Sequence, residues 1–152
     1  FVMISLEFVE FDRNFLESSW KWLTDDEIRI LTGTPFMTKR QQEDWFLLLP
    51  FQVDYYIWGV KYNGIPIGAC GIKHKTFDKG EYWGYIGEKK YWGRGIGKKM
   101  LQYIEQRARI MNLTTLYLHV STDNVRAFNL YCQFGYLVIS MNGNLVKMNK
   151  QL

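Results

Sequence analysis

Histidine, cysteine and proline are scarce in this chain of 152 residues, with two, two and three copies respectively. Two cysteines, Cys70 and Cys132, cannot build a disulfide framework, so packing has to hold the fold. His74 and His119 are the only histidines, and neither sits in a His/Cys/Asp cluster with metal-ligand spacing. No metal is expected. No apolar run approaches the roughly 18 residues that cross a bilayer, which argues against a membrane span. The opening Phe1-Val-Met-Ile-Ser-Leu-Glu7 alternates like a strand and soon meets charge, unlike a signal peptide. Residue 1 is not Met, so Met3 is the expected native start. Repeats, low-complexity runs and linker-like stretches are missing too. A soluble, cytoplasmic protein with one domain over residues 1–152 is the expectation, as a monomer or homodimer.

Hydrophobic residues make up 47% of the chain and aromatics 17%, a composition that supports a sizeable core and excludes disorder. The net charge of +4 is modest, and the basic residues gather between residues 88 and 99 and at Lys147 and Lys150. A local anionic ligand fits that distribution better than nucleic acid, which calls for a broader basic stripe.

Hydrophobic periodicity lays out the elements. Val2 to Val9 reads as a strand, and Phe15 to Leu23 and Asp25 to Leu31 as short helices parted near Thr24-Asp25. Thr38 caps a further helix carrying Trp45, Phe46 and Leu49, ended by Pro50. Tyr55 to Tyr62 and Ile65 to Lys75 form a hairpin around Asn63-Gly64, a type I′ signal. Tyr82 to Gly87 is a strand, Gly95 to Asn112 a long helix and Thr115 to Ser121 a strand. Asp123 to Phe134 is a helix stopped by Gly135, and Tyr136 to Met141 and Leu145 to Lys150 close the chain as a hairpin. The order β-α-α-β-β-β-α-β-α-β-β predicts an α+β fold, with helices on both faces of a mostly antiparallel twisted sheet of about seven strands.

The densest chemical signal is Glu88-Lys-Lys-Tyr-Trp-Gly-Arg-Gly-Ile-Gly-Lys-Lys-Met100 between a strand and a helix. A glycine-rich turn there exposes backbone N–H groups at the positive end of a helix dipole. Gly93, Gly95 and Gly97 let an anion approach the backbone, and Lys89, Lys90, Arg94, Lys98 and Lys99 add charge. A pyrophosphate would fit. The spacing is not that of a P-loop, because the glycines are too close and no Ser or Thr follows Lys98. Nor is it G-x-G-x-x-G.

A second segment, Asn124-Val-Arg-Ala-Phe-Asn-Leu-Tyr-Cys-Gln-Phe-Gly-Tyr136, completes a pattern. The ordered pair resembles the Gcn-five-related N-acetyltransferase (GNAT) family, whose motifs are [QR]-x-x-G-x-G/A and N-x-x-A-x-x-L-Y-x-x-x-G-[FY]. Asn124, Ala127, Leu130, Tyr131, Gly135 and Tyr136 match the second. Gly95 and Gly97 match the first, with Trp92 where Gln or Arg is usual, a variant similar to the RimJ/RimL-like branch. The resemblance covers roughly residues 54 to 140. It implies a single acetyltransferase domain that moves an acetyl group from acetyl-CoA, its cosubstrate, to a primary amine.

By that resemblance, the backbone of Tyr85, Ile86 and Gly87 holds the pantetheine arm, with an N–H near Ile86 facing the thioester oxygen. Gly93, Arg94, Gly95, Ile96, Gly97 and Lys98 seat the pyrophosphate, Asn124 bonds the pantetheine region, and Arg126 reaches a coenzyme phosphate or stays solvated. Tyr131 is the expected acid for the leaving thiolate, seven residues and two helical turns beyond Asn124; otherwise it is a packed aromatic. Glu81, alternating with Trp83 and Tyr85, is the expected base, either directly or through water, or else a solvated strand-end carboxylate. His119 is the other base candidate, with a structural role weighed above a catalytic one, and His74 reads as surface.

The family's first two helices form the acceptor wall, which places specificity in the first third of the chain. Trp20, Trp22 and Phe36 are candidates to stack on a sugar or base, and Asp25, Asp26 and Glu27 to hold an ammonium or charge a helix start. A small-molecule amine, such as one on a nucleotide-linked sugar, is the expected acceptor, with no nucleic acid or membrane partner. The alternatives are a protein N-terminus of the ribosomal-protein type, or a non-catalytic acyl-CoA-binding regulator.

Overall fold

The structure, a computed structural model, describes residues 5–152. The first residues of the expected opening strand, Val2 and Met3 among them, lie outside that range. Strand β1 (Leu6–Glu10) leads to helices α1 (Arg13–Trp22), α2 (Asp26–Thr32) and α3 (Lys39–Leu48). Strands β2 (Tyr56–Tyr62), β3 (Ile65–Lys73) and β4 (Lys79–Ile86) follow, then α4 (Ile96–Ile110), β5 (Thr115–Ser121), α5 (Val125–Gln133), β6 (Leu137–Asn142) and β7 (Leu145–Gln151). Three helices therefore separate β1 from β2, the Thr38-capped one being full length. Each start has its cap: Asp12 accepts from the backbone of Asn14 and Phe15, Asp25 from Ile28, and Thr38 exchanges bonds with Gln41.

The seven strands form one sheet in the order β1-β2-β3-β4-β5-β7-β6, antiparallel at every pairing except β4 with β5. Asn63 and Gly64 both have positive φ, as the type I′ turn between β2 and β3 requires. Helices α4 and α5 cover one face, burying Met100, Leu101 and Ile104 against Ile72, Leu116 and Leu118. Helices α1 to α3 cover the other, where Phe15, Leu16 and Ile28 pack with Ala69. The expected α+β fold with helices on both faces is what the chain adopts.

Of the boundaries that moved, two matter for the site. Strand β3 stops at Lys73 because His74 takes a left-handed conformation, with φ of 53°. Strand β4 begins at Lys79, three residues earlier than periodicity suggested, because Lys79–Glu81 pair in parallel with Thr115–Tyr117. After Glu81 the two strands part, while β4 stays paired with β3 and β5 with β7. The divergence opens a gap in the middle of the sheet, flanked by the glycine turn before α4 and by α5.

A charged cluster locks α4 onto the C-terminal strands. The buried Glu105 accepts from the Tyr136 hydroxyl at 2.8 Å and from Lys150 Nζ at 2.9 Å, with Arg109 at 3.7 Å. Removing one partner of a buried charged group strands the others, at about 3 to 5 kcal/mol. Glu105→Ala is expected to lower the urea midpoint accordingly with the denaturant slope unchanged. A midpoint at the wild-type value would mean that the cluster adds nothing net.

Candidate active site

A cavity of about 1060 Å³ fills the gap between β4 and β5. Strand alternation decides which backbone groups face it. Gly87 N donates to Ile67 O at 2.7 Å, and Tyr85 O lies against Gly68, so both residues turn their backbone toward β3. The N–H groups of Gly84 and Ile86 therefore point into the gap. Of the expected trio Tyr85, Ile86 and Gly87, only Ile86 presents its N–H there, and Gly84 joins it. Gly87 is needed for another reason: a Cβ would lie 2.2 Å from the indole of Trp22. That indole donates to Glu88 Oε1 at 2.9 Å.

The glycine turn borders the same cavity. Gly93 and Gly95 have φ of 75° and 81°, and Gly95 is the N-cap of α4 with no side chain to satisfy the helix's first N–H groups. A Cβ on Gly95 would meet nothing within 4 Å, so its open side faces space that a ligand can fill. Gly93, Gly95, Gly97 and Lys98 line the cavity, and Ile96 contributes there while burying its side chain in the core. Arg94 does not line it; its guanidinium lies over the Tyr91 ring. Trp92, where the motif usually has Gln or Arg, donates Nε1 to Ile86 O at 2.9 Å and ties the turn to β4.

Helix α5 supplies the opposite wall. Asn124 caps it, accepting from Ala127 N at 3.3 Å, and its Nδ2 reaches Leu31 O at 3.4 Å, joining α5 to α2. Both ends of the amide are thus engaged within the protein. Arg126 is exposed, with its guanidinium beside Gly93. Tyr131 borders the cavity between the rings of Tyr82 and Tyr136, at 6.1 and 5.9 Å. Its hydroxyl makes no hydrogen bond among the described residues. Burial pushes its phenol well above the usual value, so it stays protonated.

Glu81 is not a solvated strand-end carboxylate; it is buried at the apex of the gap, 7% exposed. Its Oε1 lies 2.8 Å from His74 Nδ1 and its Oε2 2.9 Å from His119 Nδ1, with Lys73 Nζ 4.0 Å away. Burial alone would push this carboxyl up. The bonds from His119 and His74, with the charge of Lys73, outweigh that and hold it below the usual carboxylate range. His119 lines the cavity.

A smaller chamber of about 220 Å³ adjoins the gap, sharing Lys73, Trp83, Gly84 and Tyr85 with it. Phe11, Trp45, Tyr55, Trp83 and Tyr85 wall it, and among the described residues Lys73 is the one charged side chain in its lining. The aromatics expected to bind the acceptor lie elsewhere. Trp22 is core, Trp20 pairs with Lys39, and Phe36 lies beneath Arg29 on the surface. The acidic candidates are taken as well: Lys89 bridges Asp25 and Glu27 at 2.8 Å each, and Arg29 holds Asp26. No group of His, Cys, Asp and Glu among the described residues is arranged to hold a metal ion. No helix among them is long and apolar enough to cross a membrane.

The sequence model described as "Acetyltransferase (GNAT) family" matches residues 17–136. A probable spermine N(1)-acetyltransferase of Bacillus subtilis subsp. natto is 37% identical over 59 residues, 38% of this chain and 37% of that protein. The match thus spans little more than a third of that relative's length. A domain from Methanocaldococcus jannaschii superposes with a TM-score of 0.87 at 15% identity, over 99% of this chain and all of that one. The spermidine N-acetyltransferase of Vibrio cholerae, in complex with CoA and spermine, superposes with a TM-score of 0.83 at 17% identity, over 97% of this chain and 95% of that one.

Proposed function

The chain belongs to the acetyltransferase (GNAT) family, and from that premise we propose that it transfers an acetyl group from acetyl-CoA to the primary amine of a small molecule. The observation that carries this is a pair of adjoining cavities, one running from the glycine turn through the β4–β5 gap, the other an aromatic chamber that shares Lys73, Trp83, Gly84 and Tyr85 with it. The N–H groups around Gly93 to Lys98 seat the pyrophosphate, where a helix start favours an anion. The gap-facing N–H groups of Ile86 and Gly84 bond the pantetheine and the thioester oxygen, whose charge grows as the amine adds. Asn124 holds α5 against α2 beside that arm, and Tyr131 protonates the departing thiolate. A regulator that only binds acyl-CoA has no use for an unpartnered phenol or a carboxylate clamped by two imidazoles. The Tyr91–Gly97 variant of the turn supports the RimJ/RimL-like branch.

The acceptor is an amine on a ring bearing a negative group, of which a nucleotide-linked amino sugar is the leading case. Aromatic walls suit a flat polar ring, and Lys73 suits a phosphate or carboxylate. A polyamine fits the chamber poorly, since its lining offers no carboxylate and Glu81, the carboxylate beside Lys73, is already engaged by His74 and His119. Thiol release across amino-sugar nucleotides, amino acids, polyamines and N-terminal peptides tests this. Turnover of amino-sugar nucleotides above polyamines is expected. A clear preference for spermine, or for a protein N-terminus, would overturn the acceptor assignment.

Arg126 is exposed beside Gly93, so its loss removes a phosphate contact and little packing. Arg126→Ala is expected to weaken acetyl-CoA binding about tenfold, roughly 1.4 kcal/mol. Turnover at saturating coenzyme should not change. Unaltered affinity in a calorimetric titration would leave Arg126 as a solvated charge.

A further inference from the structure

We propose that His119 is the general base of this site, with Glu81 as its positioning residue; the proposal rests on the acetyl-transfer reading above. Glu81 itself is poorly suited to take a proton. Both its oxygens are engaged by imidazoles, and it is held in the ionised form. An ionised carboxylate only accepts hydrogen bonds, so each imidazole must present an Nδ1–H to it. A neutral His119 with its proton on Nδ1 has a free lone pair on Nε2. That nitrogen belongs to a side chain 35% exposed on the wall of the 1060 Å³ cavity, across the gap from the strand bearing Ile86. The carboxylate fixes the tautomer and the orientation, and stabilises the imidazolium that forms.

Several other groups face this ring. Beyond Glu81 stand Lys73 at the end of β3 and His74 in the turn after it. On β5 itself, Tyr117 meets the His119 ring edge-on at 6.2 Å. Opposite on β7 is Lys147, its Nζ lying over the Tyr117 ring at 4.7 Å. Helix α2 presents Ile28, Leu31 and Thr32 to the cavity, while its Arg29 turns away to Leu23 O and Asp26. Asp123 and Arg126 border the cavity toward α5. Among the described residues, only His119 combines an open nitrogen in the cavity with a carboxylate fixing the other.

The proton balance closes. His119 Nε2 takes one proton from the acceptor ammonium, and the freed lone pair forms the C–N bond at the thioester carbon. The C–S bond breaks with its electron pair on sulfur, which receives the Tyr131 proton. The nitrogen sheds its second proton to the Tyr131 oxygen as the amide forms, and His119 later releases its own proton to solvent.

The test uses the full chain. Two-bond ¹H–¹⁵N spectra of the wild type, with His119→Gln giving the assignment, are expected to show neutral His119 protonated on Nδ1. In kinetics, His119→Gln is expected to cut kcat/KM for the amine by about 100- to 10,000-fold and to remove the acid limb of the pH profile. Its acetyl-CoA affinity by calorimetry should stay at the wild-type value. Glu81→Gln, whose amide can donate to Nδ1, should move the proton to Nε2 and lower kcat/KM with it. A wild-type His119 protonated on Nε2 overturns the proposal, as does a His119→Gln variant that keeps wild-type turnover and the acid limb. Failure of the wild type to release thiol with any amine class would instead overturn the acetyl-transfer reading, and this proposal with it.

Discussion

Tyr131→Phe is expected to lower turnover by about 100- to 10,000-fold, the range that positioned acids contribute, with little change in acetyl-CoA affinity. The substitution removes one oxygen and keeps the ring that packs between Tyr82 and Tyr136. Stability should therefore hold, because the hydroxyl has no hydrogen-bond partner to abandon among the described residues. The effect falls on the second half of the reaction, where the C–S bond breaks and the sulfur needs a proton. Burial keeps the phenol protonated over the whole working range, so a pH limb from its ionisation is not expected near neutrality. Thiol release measured where chemistry limits the rate, with coenzyme affinity by calorimetry, separates the two effects. Unchanged turnover would return Tyr131 to the role of a packing aromatic.

The parts of this molecule written in local sequence were readable before the fold was known. Caps at Asp25 and Thr38, the Asn63-Gly64 turn and the apolar face of α4 are set by neighbours a few residues apart, so periodicity and turn chemistry find them. The glycine turn and the Asn124–Tyr136 segment are likewise contiguous. What stayed hidden depends on long-range pairing. Glu81 looked like a strand-end residue because the parallel pairing with Thr115–Tyr117 that extends β4 back to Lys79 joins segments separated by a whole helix. Its burial follows from His74 and His119, 7 and 38 residues away.

The acceptor wall shows the same limit. Trp20, Trp22 and Phe36 were attractive because they are aromatic and fall in the right third of the chain. Side-chain direction decided otherwise: Trp22 fills the space that Gly87 leaves, and the chamber takes Trp45 from α3 and Tyr55 from the approach to β2. The period-2 alternation of β4 was the one signal that could have corrected the coenzyme contacts. Had Gly87 been recognised as a packing glycine, alternation would have paired Ile86 with Gly84 at once.

Gly95→Asn is expected to weaken acetyl-CoA binding about 100-fold while leaving the fold unchanged. Gly95 has φ of 81°, a region that Asn visits with modest cost and Val does not, so Asn is the informative replacement. A Cβ at this position meets no protein atom within 4 Å, so nothing in the chain resists the new side chain. Only a ligand drawn against the backbone would. The added atoms occupy the approach to the free N–H groups at the start of α4, where a pyrophosphate gathers charge-assisted hydrogen bonds. Losing two such bonds, at about 1.5 kcal/mol each, amounts to roughly 3 kcal/mol and hence the 100-fold loss. Thermal unfolding and a calorimetric titration on the same sample check both halves of the expectation. An Asn variant that melts as the wild type does and binds acetyl-CoA with undiminished strength would move the pyrophosphate away from this turn.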